Sequence, residues 1–205
     1  MRVPNALLLL LISINGHEVL AAPTFGLFSD ALGYFMGAKN GKPPTGAAGN
    51  SPPAKQDIAN AARLWQGDTE TVSNFLSRAE TLSPQELKDQ GTLALAAVKD
   101  ELVQKAVLDK VFLNGTAEVR DPRVVEADDR LANQGTFAFV VDGIALFSKR
   151  GAELTPDEVA TLVKAVNQDR CPNVLPSVDA YLSAAEISFG SGNGTLKAIR
   201  PTNWL

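Results

Sequence analysis

Apolar residues recur at three- and four-residue spacing through most of this chain, which is the period of a helix face. Gln56 to Trp65 and Thr69 to Ala79 carry that pattern as two short helices, divided at Gly67-Asp68 with Asp68 as the second N-cap. Ser83-Pro84-Gln85-Glu86 joins an N-cap, a proline at the first helical position and a Glu three residues on, and it opens a helix that runs to about Leu113. Asp121-Pro122 opens another, read as continuous to about Arg150 and stopped by Gly151. Thr155-Pro156-Asp157-Glu158 starts a helix to about Arg170, and a last one covers roughly Val174 to Ile187. Three starts that combine a cap with proline predict an all-α bundle of about five to six helices, with two long central helices at 84–113 and 122–150.

Thr136 to Phe147 is the ambiguous segment. Asp142-Gly143 in the middle of an apolar run also fits a two-residue β-hairpin turn. It superficially resembles the strand pair that follows the cis-proline in thioredoxin-like proteins, but it lacks that proline and any Cys-x-x-Cys. The helical reading is preferred because the segment lies between a helix start at Asp121-Pro122 and a stop at Gly151. An almost wholly apolar helix suits the centre of a bundle.

The ends follow a different pattern. Arg2, the apolar stretch Ala6 to Ile14 and Val19-Leu20-Ala21 make residues 1–21 a secretory signal peptide, cleaved after Ala21. The apolar stretch is shorter than the ~20 residues of a spanning helix, so an uncleaved anchor is the lesser alternative. Residues 22–36 place Phe25, Phe28, Leu32, Phe35 and Met36 on one helical face. Residues 37–55, with Pro43-Pro44 and Pro52-Pro53, read as a flexible linker. The 22–36 segment either docks on a partner or membrane surface or folds back on its own domain. The helical domain spans 56–188, and 189–205 reads as a loose, Gly-rich tail. No transmembrane anchor is expected.

Composition narrows the chemistry. Net charge is −4. Cleavage after Ala21 removes one basic residue, Arg2, and one acidic residue, Glu18, so the charge is unchanged and no nucleic-acid partner is expected. The lone histidine, His17, leaves with the signal peptide, which excludes Ser-His-Asp, Cys-His and His-ligated zinc sites from the mature protein. No cofactor or metal is expected. The single cysteine, Cys171, is either a buried thiol or the half of an intermolecular bridge. Asn114-Gly-Thr116 and Asn193-Gly-Thr195 are glycosylation sequons in expected loops. Lys149-Arg150 reads as a basic helix C-terminus, with dibasic processing as the alternative.

Asp109 and Asp142 are the candidates for catalysis. Asp109 falls among Leu95, Val98, Leu102, Ala106 and Leu113. Asp142 falls among Val124, Leu131, Gly135, Ala138, Phe139 and Leu146. If both face the core and meet, they could share a proton or hold a cation through oxygen. Ser77, Ser83, Ser148 and Ser183 have no lysine at a spacing that suggests a dyad.

Three stretches, Glu101 to Asp109, Asn133 to Gly143 and Asp169 to Pro176, resemble a group of small, cysteine-poor secreted proteins of filamentous fungi with no established activity. The resemblance implies secretion and a helical body over roughly 56–187, and it implies no catalytic residue. The expected function is that of a secreted, non-catalytic protein that binds an apolar small molecule, a cell-wall component or a host protein. A carboxylate-dependent enzyme or oxygen-ligated metal protein using Asp109 and Asp142 is one alternative, and a structural wall or matrix protein is another.

Overall fold

The computed structural model describes residues 52–117, 119–190 and 194–204. The signal peptide, the 22–36 segment, most of the linker and Asn193 lie outside these residues. The described chain is mostly helical, at 81%, and contains no strand, so Thr136 to Phe147 is helix and not hairpin.

The first helix, α1 (Lys55–Arg78), is continuous, which corrects the expected division at Gly67-Asp68. Its buried positions Ile58, Ala61, Ala62, Trp65, Thr69, Val72, Ser73 and Leu76 form one stripe that passes both residues without a phase change. Gly67 is exposed, and a mid-helix glycine costs only about 1 kcal/mol. Burying the large side chains along that stripe outweighs it. Asp57 Oδ2 accepts from the Ala54 amide at the N-terminus, at 3.0 Å.

The capping box expected at Ser83 opens α2 (Pro84–Phe112), where Glu86 Oε2 accepts from the Ser83 amide at 3.0 Å. The buried stripe of α2 runs Leu87, Gly91, Ala94, Val98, Glu101, Lys105, Leu108 and Phe112. It is rotated from the expected Leu95–Leu113 face, and two charged residues sit within it.

The second expected long helix is broken. The chain forms α3 (Pro122–Asp128), a π-helical turn over Asp129–Asn133, and then α4 (Thr136–Arg150). Gly135 adopts φ 73°, in the left-handed region that favours glycine. Asp129 Oδ1 and Oδ2 accept from the side-chain amides of Asn133 and Gln134, and Thr136 Oγ1 donates to the Arg130 carbonyl at 2.9 Å. The break resets the helical phase. Phe137, Val140, Val141, Ile144 and Phe147 turn inward, while Phe139 and Leu146, expected on the core face, are 39% and 38% exposed.

The Thr155 capping box opens α5 (Pro156–Asp169). A second π-helical turn, Arg170–Val174, leads into α6 (Leu175–Phe189), which ends at Gly190 in the left-handed region. The longest helices, α1 and α2, are joined by 79–83 and pack together. In addition α1 packs on α6, α2 on α4, α3 on α6, and α4 on α5. Their shared core includes Trp65, Phe75, Leu76, Phe147 and Tyr181. Phe75 meets Phe147 edge to face, with centroids 5.1 Å apart.

The tail differs from the loose segment expected. Residues 194–204 lie along α1 and α6. The Ile199 carbonyl accepts from Ser73 Oγ at 2.5 Å, and its amide donates to Thr69 Oγ1 at 2.9 Å. The Thr202 amide donates to Ser77 Oγ, Asn203 Nδ2 to the Leu76 carbonyl, and the Ala198 amide to Asp179. Ala198 is buried.

Candidate functional site

Two of the buried charged residues, Glu101 and Lys105, lie on one stripe of α2. Glu101, Lys105 and Asp109 are four residues apart, so they stack on a single helix face. Asp128, at the end of α3, and Tyr181, on α6, complete the group around Lys105. Lys105 is 5% exposed. Its Nζ donates to Asp109 Oδ2 at 2.7 Å and to Asp128 Oδ1, and it lies 5.4 Å from the Tyr181 ring centroid. The Tyr181 hydroxyl donates to Asp109 Oδ1 at 2.7 Å and reaches Asp128 Oδ1 at 3.5 Å.

Burial raises the Asp109 pKa, against the opposing pull of Lys105 and Tyr181. Burial, followed by the charge of Asp109, pushes the Tyr181 hydroxyl far above its ordinary value. Tyr181 therefore remains a donor at any physiological pH. Each Asp109 oxygen already accepts a hydrogen bond, one from Lys105 and one from Tyr181. This arrangement links α2, α3 and α6 through Lys105 and Tyr181.

Asp142 does not join Asp109. It sits half-buried on the α4 side that carries the exposed Phe139 and Leu146. Burial raises its pKa, offset in part by Lys149. The expected core-facing position required one unbroken helix from Pro122, and the π-helical turn with Gly135 removes it. Among the described residues, no three His, Cys, Asp or Glu side chains gather as a metal cluster.

A second polar group lies deeper. Trp65 Nε1 donates to Glu101 Oε2 at 2.9 Å, and the Trp65 and Tyr181 rings lie 5.2 Å apart. Arg170 is fully buried; its NH1 donates to Ser73 Oγ at 2.8 Å and its NH2 to the Thr69 carbonyl at 3.2 Å. Sequence reasoning missed Glu101, Lys105, Asp128 and Arg170 because charged side chains in a helical pattern read as solvent-facing, and Tyr181 because its partners Asp109 and Asp128 are far away in sequence. The four-residue spacing of Glu101, Lys105 and Asp109 was the available signal.

Cys171 is buried, and burial raises its thiol pKa, so a bridge to another chain would require the Arg170–Val174 turn to open. Asn114 is exposed in the turn after α2. The candidate serines have other partners: Ser77 Oγ donates to the Ser73 carbonyl, Ser83 to Glu86, Ser148 pairs with Thr92, and Ser183 accepts from Arg123. A cleft of about 460 Å³ beside α1 is lined by Asn74, Ser77, Arg78 and Thr202. No described helix is long and apolar enough to cross a membrane. Protein-family models, curated proteins and solved structures gave no match to this chain.

Proposed function

We propose that this chain is exported, losing residues 1–21, and that the mature protein is a non-catalytic helical bundle acting by surface contact with a cell-wall component or a host protein. The observation that carries this reading is the condition of Asp109. Its two oxygens accept from Lys105 and Tyr181 in a link between helices, and Asp142 lies on the α4 side of Phe139 and Leu146, which favours a structural part for Asp109. The apolar cluster around Trp65 and Tyr181 is read as the packing core of the domain, which leaves the surface for contact with a partner. Resemblance to secreted fungal proteins agrees with export and with a fungal source. Glycan on Asn114, and on Asn193 outside the described residues, fits the same route.

The test uses protein purified from the medium of the producing cell. The expected result is an N-terminus at Ala22, saturable co-sedimentation with washed cell walls or host surface material, and native masses free of fatty acid or sterol after incubation with either. A stoichiometric lipid adduct without surface binding would replace this reading with that of a lipid carrier.

A further inference from the structure

The seam between α1 and α2 contains an electrostatic problem that the neighbouring residues do not solve. Glu101 is 1% exposed, and its Oε1 has no hydrogen-bond partner. On α1, one turn beyond Trp65, half-buried Asp68 has its Oδ2 buried and also without a partner. Asp100, beside Glu101 on α2, adds a third carboxylate acting on Asp68. The cation facing Glu101 is Arg170, from the turn between α5 and α6. Arg170 directs NH1 to Ser73 and NH2 to Thr69, and its Nε has no partner. No ion pair joins it to Glu101 among the described residues. Arg200, from the tail, acts on Arg170 with the same sign of charge.

Two buried carboxylate oxygens without donors are costly when ionised. The described carboxylates do not gather as a metal cluster, and a proton on each group relieves both the burial and the mutual repulsion. We propose that Asp68 and Glu101 form a proton-operated latch between α1 and α2, tight in acidic surroundings and loosened near neutral pH.

Burial, then Asp100 and Glu101, raises the Asp68 pKa from 3.8 to about 7. Burial raises that of Glu101 from 4.5 to about 7, against Arg170 and the Trp65 hydrogen bond. Both groups therefore hold a proton more tightly folded than unfolded. Their contribution to stability is complete below the unfolded values of 3.8 and 4.5 and is lost as pH rises through about 7. Because Trp65 Nε1 bonds to Glu101, its emission reports on the latch.

The experiment follows thermal unfolding and tryptophan fluorescence of the full secreted chain from pH 5 to pH 8. It compares the natural protein, Asp68→Asn and Glu101→Gln, with Trp204→Phe as the fluorescence background. The unfolding constant of the natural protein is expected to rise by up to about tenfold per pH unit per group from pH 5 to about 7 and to level off above it. Each variant should flatten that rise, and Glu101→Gln should abolish a Trp65 fluorescence transition centred near pH 7. Identical pH slopes in all three proteins would overturn the proposal. Should Glu101→Gln fail to fold, Asp68→Asn decides, since its half-buried site tolerates the change.

Discussion

Lys105 shows how much one side chain can hold. It is buried between Asp109 and Asp128, which belong to different helices. A buried ion pair adds little stability over an apolar replacement of the whole group, but removing one partner strands the others. Lys105→Met should therefore destabilise the protein by about 3 kcal/mol, the lower end of the range for a stranded buried charge, because the two aspartates keep partial access to water. Tyr181→Phe removes one hydrogen bond to Asp109 and should cost about 1.5 kcal/mol. Urea unfolding with a single cooperative transition would measure both. A Lys105→Met variant as stable as the natural protein would mean that the two aspartates find other donors.

At the scale of elements, helix contacts determine what each glycine does. A Cβ on Gly91 would lie 2.8 Å from Phe147 Cβ and 3.0 Å from backbone atoms of Phe147 and Ser148. At Gly91, α2 and α4 approach closely, and Gly91→Ala should destabilise by roughly 1–3 kcal/mol through overpacking. Gly67 is exposed in the middle of α1, and a Cβ there meets nothing within 4 Å. Gly67→Ala should stabilise by roughly 0.5–1 kcal/mol, because only the helix preference changes. The opposite signs, read from paired denaturation curves, test the packing of α2 on α4 and the continuity of α1 together. Equal effects would contradict one or the other.

At the scale of the whole molecule, the tail acts as a clasp. Residues 194–204 bind hydroxyls and carbonyls of α1 and carboxylates of α6, bury Ala198 and Pro201, and pack Leu196 and Trp204 against the core. Such a segment depends on hydrogen bonds that each contribute about 1 kcal/mol net, reduced by the entropy of ordering it. Ending the chain at Gly190 should lower the thermal midpoint by roughly 5–10 °C while leaving the helical circular dichroism intact. An unchanged midpoint would show that the clasp contributes nothing. The pH response of the α1–α2 seam should survive this truncation, because no hydrogen bond joins Asp68 or Glu101 to the tail among the described residues.

Local pattern was enough for the helical class and for the capped starts at Ser83, Asp121 and Thr155. Caps and spacing are local, and they are fixed by residues a few positions apart. What only the tertiary structure decided was non-local. The stripe of α1 overrode Gly67, and the π-helical turn with Gly135 rotated Asp142 away from the core. The hydroxyls of Thr69, Ser73 and Ser77 on α1 captured a tail whose composition suggested looseness. Packing also turned Glu101, Lys105 and Asp109 inward: Asp128 on α3 and Tyr181 on α6 partner Lys105 and Asp109, while Glu101 accepts a single bond from Trp65 on α1. Asp109 was legible as a candidate, but its role depended on Lys105, Asp128 and Tyr181, which only folding brings within hydrogen-bonding distance.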